Sequence, residues 1–268
     1  MTARSILGKL YAIVRRDLLT TARHRTGLGV QVIAVFVELA GFYFLARAIG
    51  PGFQPDGISF YTFLLSGTAL FGFFVIGVSS FVRAIEEAQM TGTMEVMMTT
   101  STPPWLILLL STFSIFSSRA LSMVVFLAAG SLLFPVALQV DVAALIAVAA
   151  LSIAIALAVG MFAASVQVAA QKGSAVVWLM GTMGWVLTGA MFPTSVLPRG
   201  LRELAEWLPV THAIRGLRHA MLDAGTASQL QHSLFVLGAF ALLLLPLSFV
   251  VFSYRIRRAR LEGTLSFY

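Results

Sequence analysis

The sequence predicts an all-α polytopic membrane protein, a single domain over residues 1–268 whose six transmembrane helices are joined by short polar segments. Three observations carry that prediction. Hydrophobic residues make up 59% of the chain and charged residues 11%, where soluble domains carry about 25% charged residues. The mean hydropathy of +0.92 has the same sense. Apolar runs long enough to cross the roughly 30 Å hydrocarbon core recur along the chain, and arginines crowd its two ends.

The elements follow in order. Within 1–26, Leu7, Leu10, Tyr11, Val14 and Leu18 recur at helical spacing with Arg4, Lys9, Arg15 and Arg16 directed elsewhere. That pattern predicts an amphipathic helix over 5–23 lying in the membrane interface. It serves equally as a basic anchor or as a mobile element at the mouth of a pathway. The segment lacks a small-residue cleavage site, so the first span is expected to stay in the chain. The spans themselves are predicted over 27–49, 59–82, 113–136, 142–170, 175–192 and 233–254.

Basic loops resist translocation, and this sets the expected orientation. Arg4, Lys9, Arg15, Arg16, Arg23 and Arg25 oppose only Asp17 at the amino end. Arg255, Arg257, Arg258 and Arg260 oppose only Glu262 in the tail over 255–268. Both termini are therefore expected in the cytoplasm, which requires an even number of spans and places the segment 83–104 inside. Arg199, Arg202, Arg215 and Arg218 run against this pattern and are partly balanced by Glu203, Glu206 and Asp223. The net charge of +7 is largely topological and draws the tails to anionic lipid. No nucleic-acid-binding motif accompanies it. The lack of cysteine excludes thiolate metal sites and disulfides.

Between the second and third spans the apolar chain pauses. Glu86 and Glu87 precede GTMEVMMTTSTPPW at 92–105, with Ile85, Met90, Met94, Met97 and Met98 interleaved among the carboxylates. Gly92 and Thr93 are placed to break or cap a helix, Pro103 and Pro104 end helical structure before them, and Trp105 suits the headgroup level. An anionic, methionine-rich helix on a membrane face suits docking into a partner's groove.

Glu86-Glu87, then Gly92-Thr93-Met94-Glu95, then Thr102-Pro103, resembles the pattern of permease subunits of type-2 ABC exporters. The resemblance implies that 83–104 is a coupling loop. Its helix would dock an ATP-binding subunit, with Glu86, Glu87, Gly92, Thr93, Met94, Glu95 and Met98 as coupling residues. The chain departs from the family pattern at the extra Pro104 and at Ser111-Thr112, where a Gly-Lys pair is common.

A second match lies in GAMFPTSVLPRGLRELAEWLPVTHAIRGLRHAML at 189–222, which resembles the family's carboxy-proximal signature through Phe192, Pro193, Pro198, Trp207, Pro209 and Arg215. Pro198 is placed to start a helix with Leu201, Leu204, Ala205 and Leu208 on one face, and Pro209 to stop it. Thr211 then caps a second helix with Ile214, Leu217 and Met221 opposite Arg215, Arg218 and His219. The pair reads as an extracytoplasmic re-entrant lid over 193–231.

The run from Phe192 to His212 looks like drug- and lipid-exporting bacterial permeases of the plasma membrane. Arg16-Asp17-Leu18 and Thr26-Gly27-Leu28-Gly29 are similar instead to the polysaccharide- or glycolipid-exporting branch, which stands as the alternative. No phosphate-binding loop exists, since Gly8-Lys9 lacks both the upstream glycine and a following hydroxyl residue. This chain is expected to bind no cofactor, to perform no catalysis and to hold no metal, with ATP and Mg²⁺ on the partner. The resemblance further implies two ATPase subunits and a second permease, a copy or a paralogue.

Charged residues within spans are costly and mark pathway candidates, here Glu38 and Arg119. They serve as a substrate or proton contact, or as a paired anchor within the bundle. Arg119 lies two turns from the cytoplasmic end of its expected span and has the option of snorkelling inward. Phe71, Phe73, Phe74, Trp178 and Trp185 read chiefly as packing or lipid contacts, with contact to an apolar substrate as the alternative. Gly67, Gly72, Gly77, Gly181, Gly184 and Gly189 allow close helix approach, within the chain or between subunits. A distant alternative is an intramembrane lipid-modifying enzyme, for which Ser195 with His212 is the single loose pairing.

Overall fold

In the computed structural model, residues 25–100, 102–134, 136, 139–170, 172–222 and 227–262 are described. The amphipathic helix expected over 5–23 lies outside them, as do residues 263–268. Helices α1 (Arg25–Ile49), α2 (Phe60–Met90), α3 (Thr93–Thr99), α4 (Pro104–Leu133), α5 (Val142–Ala170), α6 (Gly173–Leu187), α7 (Arg199–Glu206), α8 (Pro209–Leu222) and α9 (Ala227–Glu262) succeed one another. The all-helical expectation holds: among the described residues five helices are long and apolar enough to cross a membrane, and α6 is a shorter apolar helix.

The core is built around α2 and α5. Helix α2 packs against α5, α4, α6, α8 and α1, and α9 lies along α5. Phe63, Phe74, Val78, Phe81 and Ile85 of α2 are buried, as are Ile155, Met161 and Ala164 of α5. Phe73 and Phe81 meet Phe116 of α4 edge-on, with ring centroids 5.0 and 6.3 Å away. Phe71, Phe73 and Phe74 are thus packing residues. By contrast α1 exposes Val32, Ile33 and Phe36, apolar side chains that lipid accommodates at no hydrophobic cost.

Several boundaries differ from the sequence expectation. Helix α2 runs on to Met90, so Glu86 and Glu87 sit in its last turns and not in a separate loop. Apolar Ile85, Ala88 and the buried part of Gln89 keep the helical face packed past the expected end at residue 82. Helix α4 starts at Pro104 instead of residue 113, because Pro103 and Pro104 occupy its N-cap and first position, where a missing N–H costs nothing. Arg119 is therefore about four turns into its helix, which removes the short snorkelling route. Helix α6 ends at Leu187, not 192, and at about 22 Å is shorter than the hydrocarbon core. The last helix extends from Ala227 to Glu262, well past residue 254, and an Arg258–Glu262 pair at 2.6 Å ties its final turn.

The glycines chiefly serve contacts within the chain. A Cβ at Gly77 would lie 2.8 Å from the Phe116 ring, and one at Gly184 2.5 Å from the Phe71 ring. Only Gly72 and Gly181 of the six expected close-approach positions face open space in helices, while Gly189 forms a turn.

Candidate functional site

At one end of the bundle α2 passes into α3 through a tight hinge. Thr91 closes α2, its hydroxyl donating to the Glu87 carbonyl at 2.7 Å, and Gly92 takes the left-handed conformation at φ 68° that reverses the chain. Helix α3 is seven residues long. Met94 is fully buried and locks it onto the core, with Met97 partly buried beside it. Thr93 and Glu95 remain exposed, together with Glu87 and Met90 of α2, while Glu86 is half-buried. Met94 was expected to face a partner; the structure makes it an internal anchor, since an isolated turn of helix has no stability without such a contact. Met98 lies on the same helix. Trp105 meets Phe249 of α9 edge-on at 5.1 Å and braces the start of α4.

Glu38 of α1 and Arg119 of α4 line one cavity of about 300 Å³ between α1, α2, α4 and α6. They do not pair: no ion pair within 4.0 Å joins them among the described residues. The Arg119 Nε is buried without a hydrogen-bond partner.

At the opposite end the chain after α6 turns at Gly189 (φ 75°) and forms the short helix pair that the sequence predicts to be a lid. Pro198 caps α7, as expected. Pro209 does not merely stop α7, which ends at Glu206; it is the first residue of α8. Thr211 therefore lies inside α8, its hydroxyl buried without a partner, instead of capping it. The expected apolar face of α7 is turned outward, with Leu204 and Trp207 exposed and Ala205 alone fully buried. Phe192 is exposed and Pro193 buried at the entry to the lid. Helix α8 is deeply buried, and its last carbonyls are met by the chain before α5, through Gln139 N to Met221 O at 3.0 Å and Asp141 N to Ala220 O at 2.9 Å.

Two arginines fix the lid. Arg215 donates to both Glu206 carboxylate oxygens at 2.5 and 2.7 Å and to Thr194 Oγ1 at 2.9 Å, closing α8 onto α7. Those hydrogen bonds hold the Glu206 carboxyl below its ordinary value against the opposing effect of burial. His212 directs Nε2 at the Glu206 carbonyl, 2.9 Å away, and burial pushes its pKa down, so its 3.8 Å approach to the Glu206 carboxylate is not an ion pair at neutral pH. His212 and Ser195 line one cavity, but among the described residues no hydrogen bond joins them: His212 Nε2 meets the Glu206 carbonyl, and the Ser195 carbonyl accepts from Arg202.

Arg218, which the sequence pattern placed on the polar face of its helix, is the most buried cation of the lid at 3% exposure. Its Nε donates to Ser66 Oγ at 3.3 Å and its Nη2 to the carbonyls of Phe63 at 3.0 Å and Gly189 at 2.9 Å. The guanidinium lies 3.5 Å from the Phe63 ring centroid, and Nη1 stands 3.8 Å from Asp56 Oδ2. Burial lowers its pKa to about 9, which still leaves it charged at neutral pH. The hook needs close approach: a Cβ at Gly67 would lie 2.2 Å from the Ala190 carbonyl oxygen and 2.8 Å from Arg218 Nη2. The signal available in the sequence was the pairing of Gly67 with a polar Ser66 in an apolar run, which one chain alone does not connect to Arg218.

The molecule thus has a small hooked helix at one end, a charged cavity in the middle, and a lid hung from α2 at the other. Among curated proteins no relative matches the chain. A family model described as ABC-2 type transporter matches residues 8–222, from the segment before α1 to the end of α8, and the chain belongs to that family of membrane transport subunits.

Proposed function

We propose that this chain is the permease subunit of an ATP-driven exporter, forming half of a pathway for a hydrophobic or amphiphilic compound and docking a separate ATPase at its cytoplasmic face. A single observation carries the docking assignment: α3, fixed by Met94, leaves Glu87, Thr93 and Glu95 exposed at the foot of the central helix. Family members work with an ABC ATPase, and ATP and Mg²⁺ belong to that partner. A second permease, identical or a sister chain, completes the pathway against the exposed face of α1.

Helix α2 supplies the transmission. Its 31 residues form a rod of about 46 Å that carries α3 at one end and the Arg218 hook at the other. ATP-driven closure of the partner pushes on α3, and α2 conveys the displacement to the lid. Glu38 and Arg119 lie beside that rod and line the pathway. Both termini face the cytoplasm of a bacterial cell, with the lid outside, and the drug- or lipid-efflux branch suits the lid sequence.

Co-purification with the ATPase encoded beside this chain tests the reading. The wild type retains the ATPase in detergent, and the doubly charge-reversed Glu87→Arg/Glu95→Arg chain loses it at an unchanged melting temperature. Retention by the reversed chain sinks the docking assignment, and absence of binding by the wild type under every nucleotide condition sinks the export reading.

A further inference from the structure

We propose that the cavity between α1, α2, α4 and α6 is a binding site for a zwitterionic amphiphile, its anionic group against Arg119 and its ammonium against Glu38. The size suits a headgroup: about 300 Å³ is at the lower end of small-ligand sites. The chemistry is specific. Two side chains of opposite charge lie midway along α1 and α4, helices long and apolar enough to cross a membrane, and line one space with no ion pair between them. At the centre of a bilayer each charge costs about 2.5 to 3.5 kcal/mol. Helix packing alone gives no reason to keep such a pair apart.

The orphaned Arg119 Nε is the pointer to a ligand. It is buried without a hydrogen-bond partner and does not itself open onto the cavity, but it belongs to a guanidinium that no acceptor among the described residues claims and that lines the cavity, where an oxyanion would pair with it. The hydroxyls that share the wall are already spent as donors. Thr68 donates to the Leu64 carbonyl at 2.7 Å and Ser122 to the Ser118 carbonyl at 2.9 Å, so both present acceptor lone pairs, as does the Glu38 carboxylate. One cationic donor, the Gln31 amide and several acceptors around an apolar floor that includes Trp185 complement a molecule bearing an anion, an ammonium and a chain. Access is lateral. Glu38 and Gln31 are exposed on α1, the helix that packs chiefly on α2 and leaves the rest of its surface uncovered.

A zwitterionic membrane lipid and a zwitterionic foreign amphiphile share this chemistry. That the occupant is cargo rests on the export reading; that it binds does not. The test therefore omits nucleotide and ATPase. The full chain in a non-ionic detergent is incubated with lysophosphatidylethanolamine, with lysophosphatidylglycerol as the anion-only probe, or with dodecyltrimethylammonium as the cation-only probe. Retention is read by native mass spectrometry. The zwitterion is expected to bind at least about tenfold more tightly than either single-charge probe, a difference of about 1.4 kcal/mol. Arg119→Gln loses that binding, and Glu38→Gln binds the zwitterion no better than the anion-only lipid.

A dodecyl sulfobetaine then separates the sources: displacement of the lysolipid assigns the site to zwitterions at large, and failure to displace it assigns the site to the lipid headgroup. Equal retention of all probes, or retention unaffected in both variants, overturns the proposal. So does a Glu38→Gln/Arg119→Gln cycle showing full coupling in melting temperature without any probe, since the two residues would then be an internal pair. A chain that binds the zwitterion but recruits no ATPase retains the site and loses the export reading; the converse result does the opposite.

Discussion

Helices α1 and α2 are nearly indistinguishable by composition, with mean hydropathies of 2.0 and 1.9 over their apolar windows, and occupy opposite situations. Of the α1 window 6% is buried inside the chain, and of the α2 window 78%. The difference teaches that hydropathy selects for the membrane but not for the core. Lipid tails are as apolar as leucine, so moving an apolar side chain from lipid to protein gains packing and little else. What assigns α2 to the centre is its notches and hooks: Gly67 and Gly77, which admit a neighbouring backbone and ring, and Phe63, which receives Arg218.

The largest expected effect tests that contrast directly. Phe74→Ala in α2 removes a fully buried ring and is expected to cost about 3 to 5 kcal/mol, while Phe36→Ala in α1 stays within about 0.5 kcal/mol. Thermal melting of the two variants in one detergent measures both. Equal losses would mean that α1 has intrachain packing that the structure does not give it.

A smaller difference is expected from glycines. Gly67→Val is expected to destabilise by about 1 to 3 kcal/mol, because its side chain meets the Ala190 carbonyl and Arg218, whereas Gly41→Val in α1 meets nothing within 4 Å. Arg218→Met tests the same hook from the lid side and should free residues 60–67 to exchange amide hydrogens faster while leaving 42–49 unaffected.

The smallest effect is a pH dependence at the junction of lid and α2. The folded-state value of His212 is lowered by burial, so its contribution is complete above the ordinary histidine value of 6.5 and is lost as pH falls below it. Glu206 is also lowered, and its contribution is complete above 4.5 and lost only below that value. Protection of the lid amides is therefore expected to decline as pH falls below about 6.5, and the decline to vanish in His212→Gln. A decline that persists in that variant assigns the titration to a group other than His212.

The sequence by itself determined the membrane class, the number and order of the apolar runs, the break at Gly92 and the interruptions at Pro103-Pro104 and Pro209, because these depend on local chemistry: transfer from water, backbone conformation and a missing N–H. That Pro104 and Pro209 begin α4 and α8 was shown only by the structure. It also placed Glu38 and Arg119 as the charges to explain, since their cost in a bilayer does not depend on neighbours. Which runs are central, whether Met94 faces a partner or the core, and which lid arginine is buried were decided only by the tertiary structure. Arg215 and Arg218 are one turn apart on one helix; a carboxylate claims the first, and two carbonyls, a hydroxyl and a ring from elements distant in sequence claim the second. A long-range set of partners of that kind has no local signature, because each donor and acceptor is satisfied by a residue that only folding brings near.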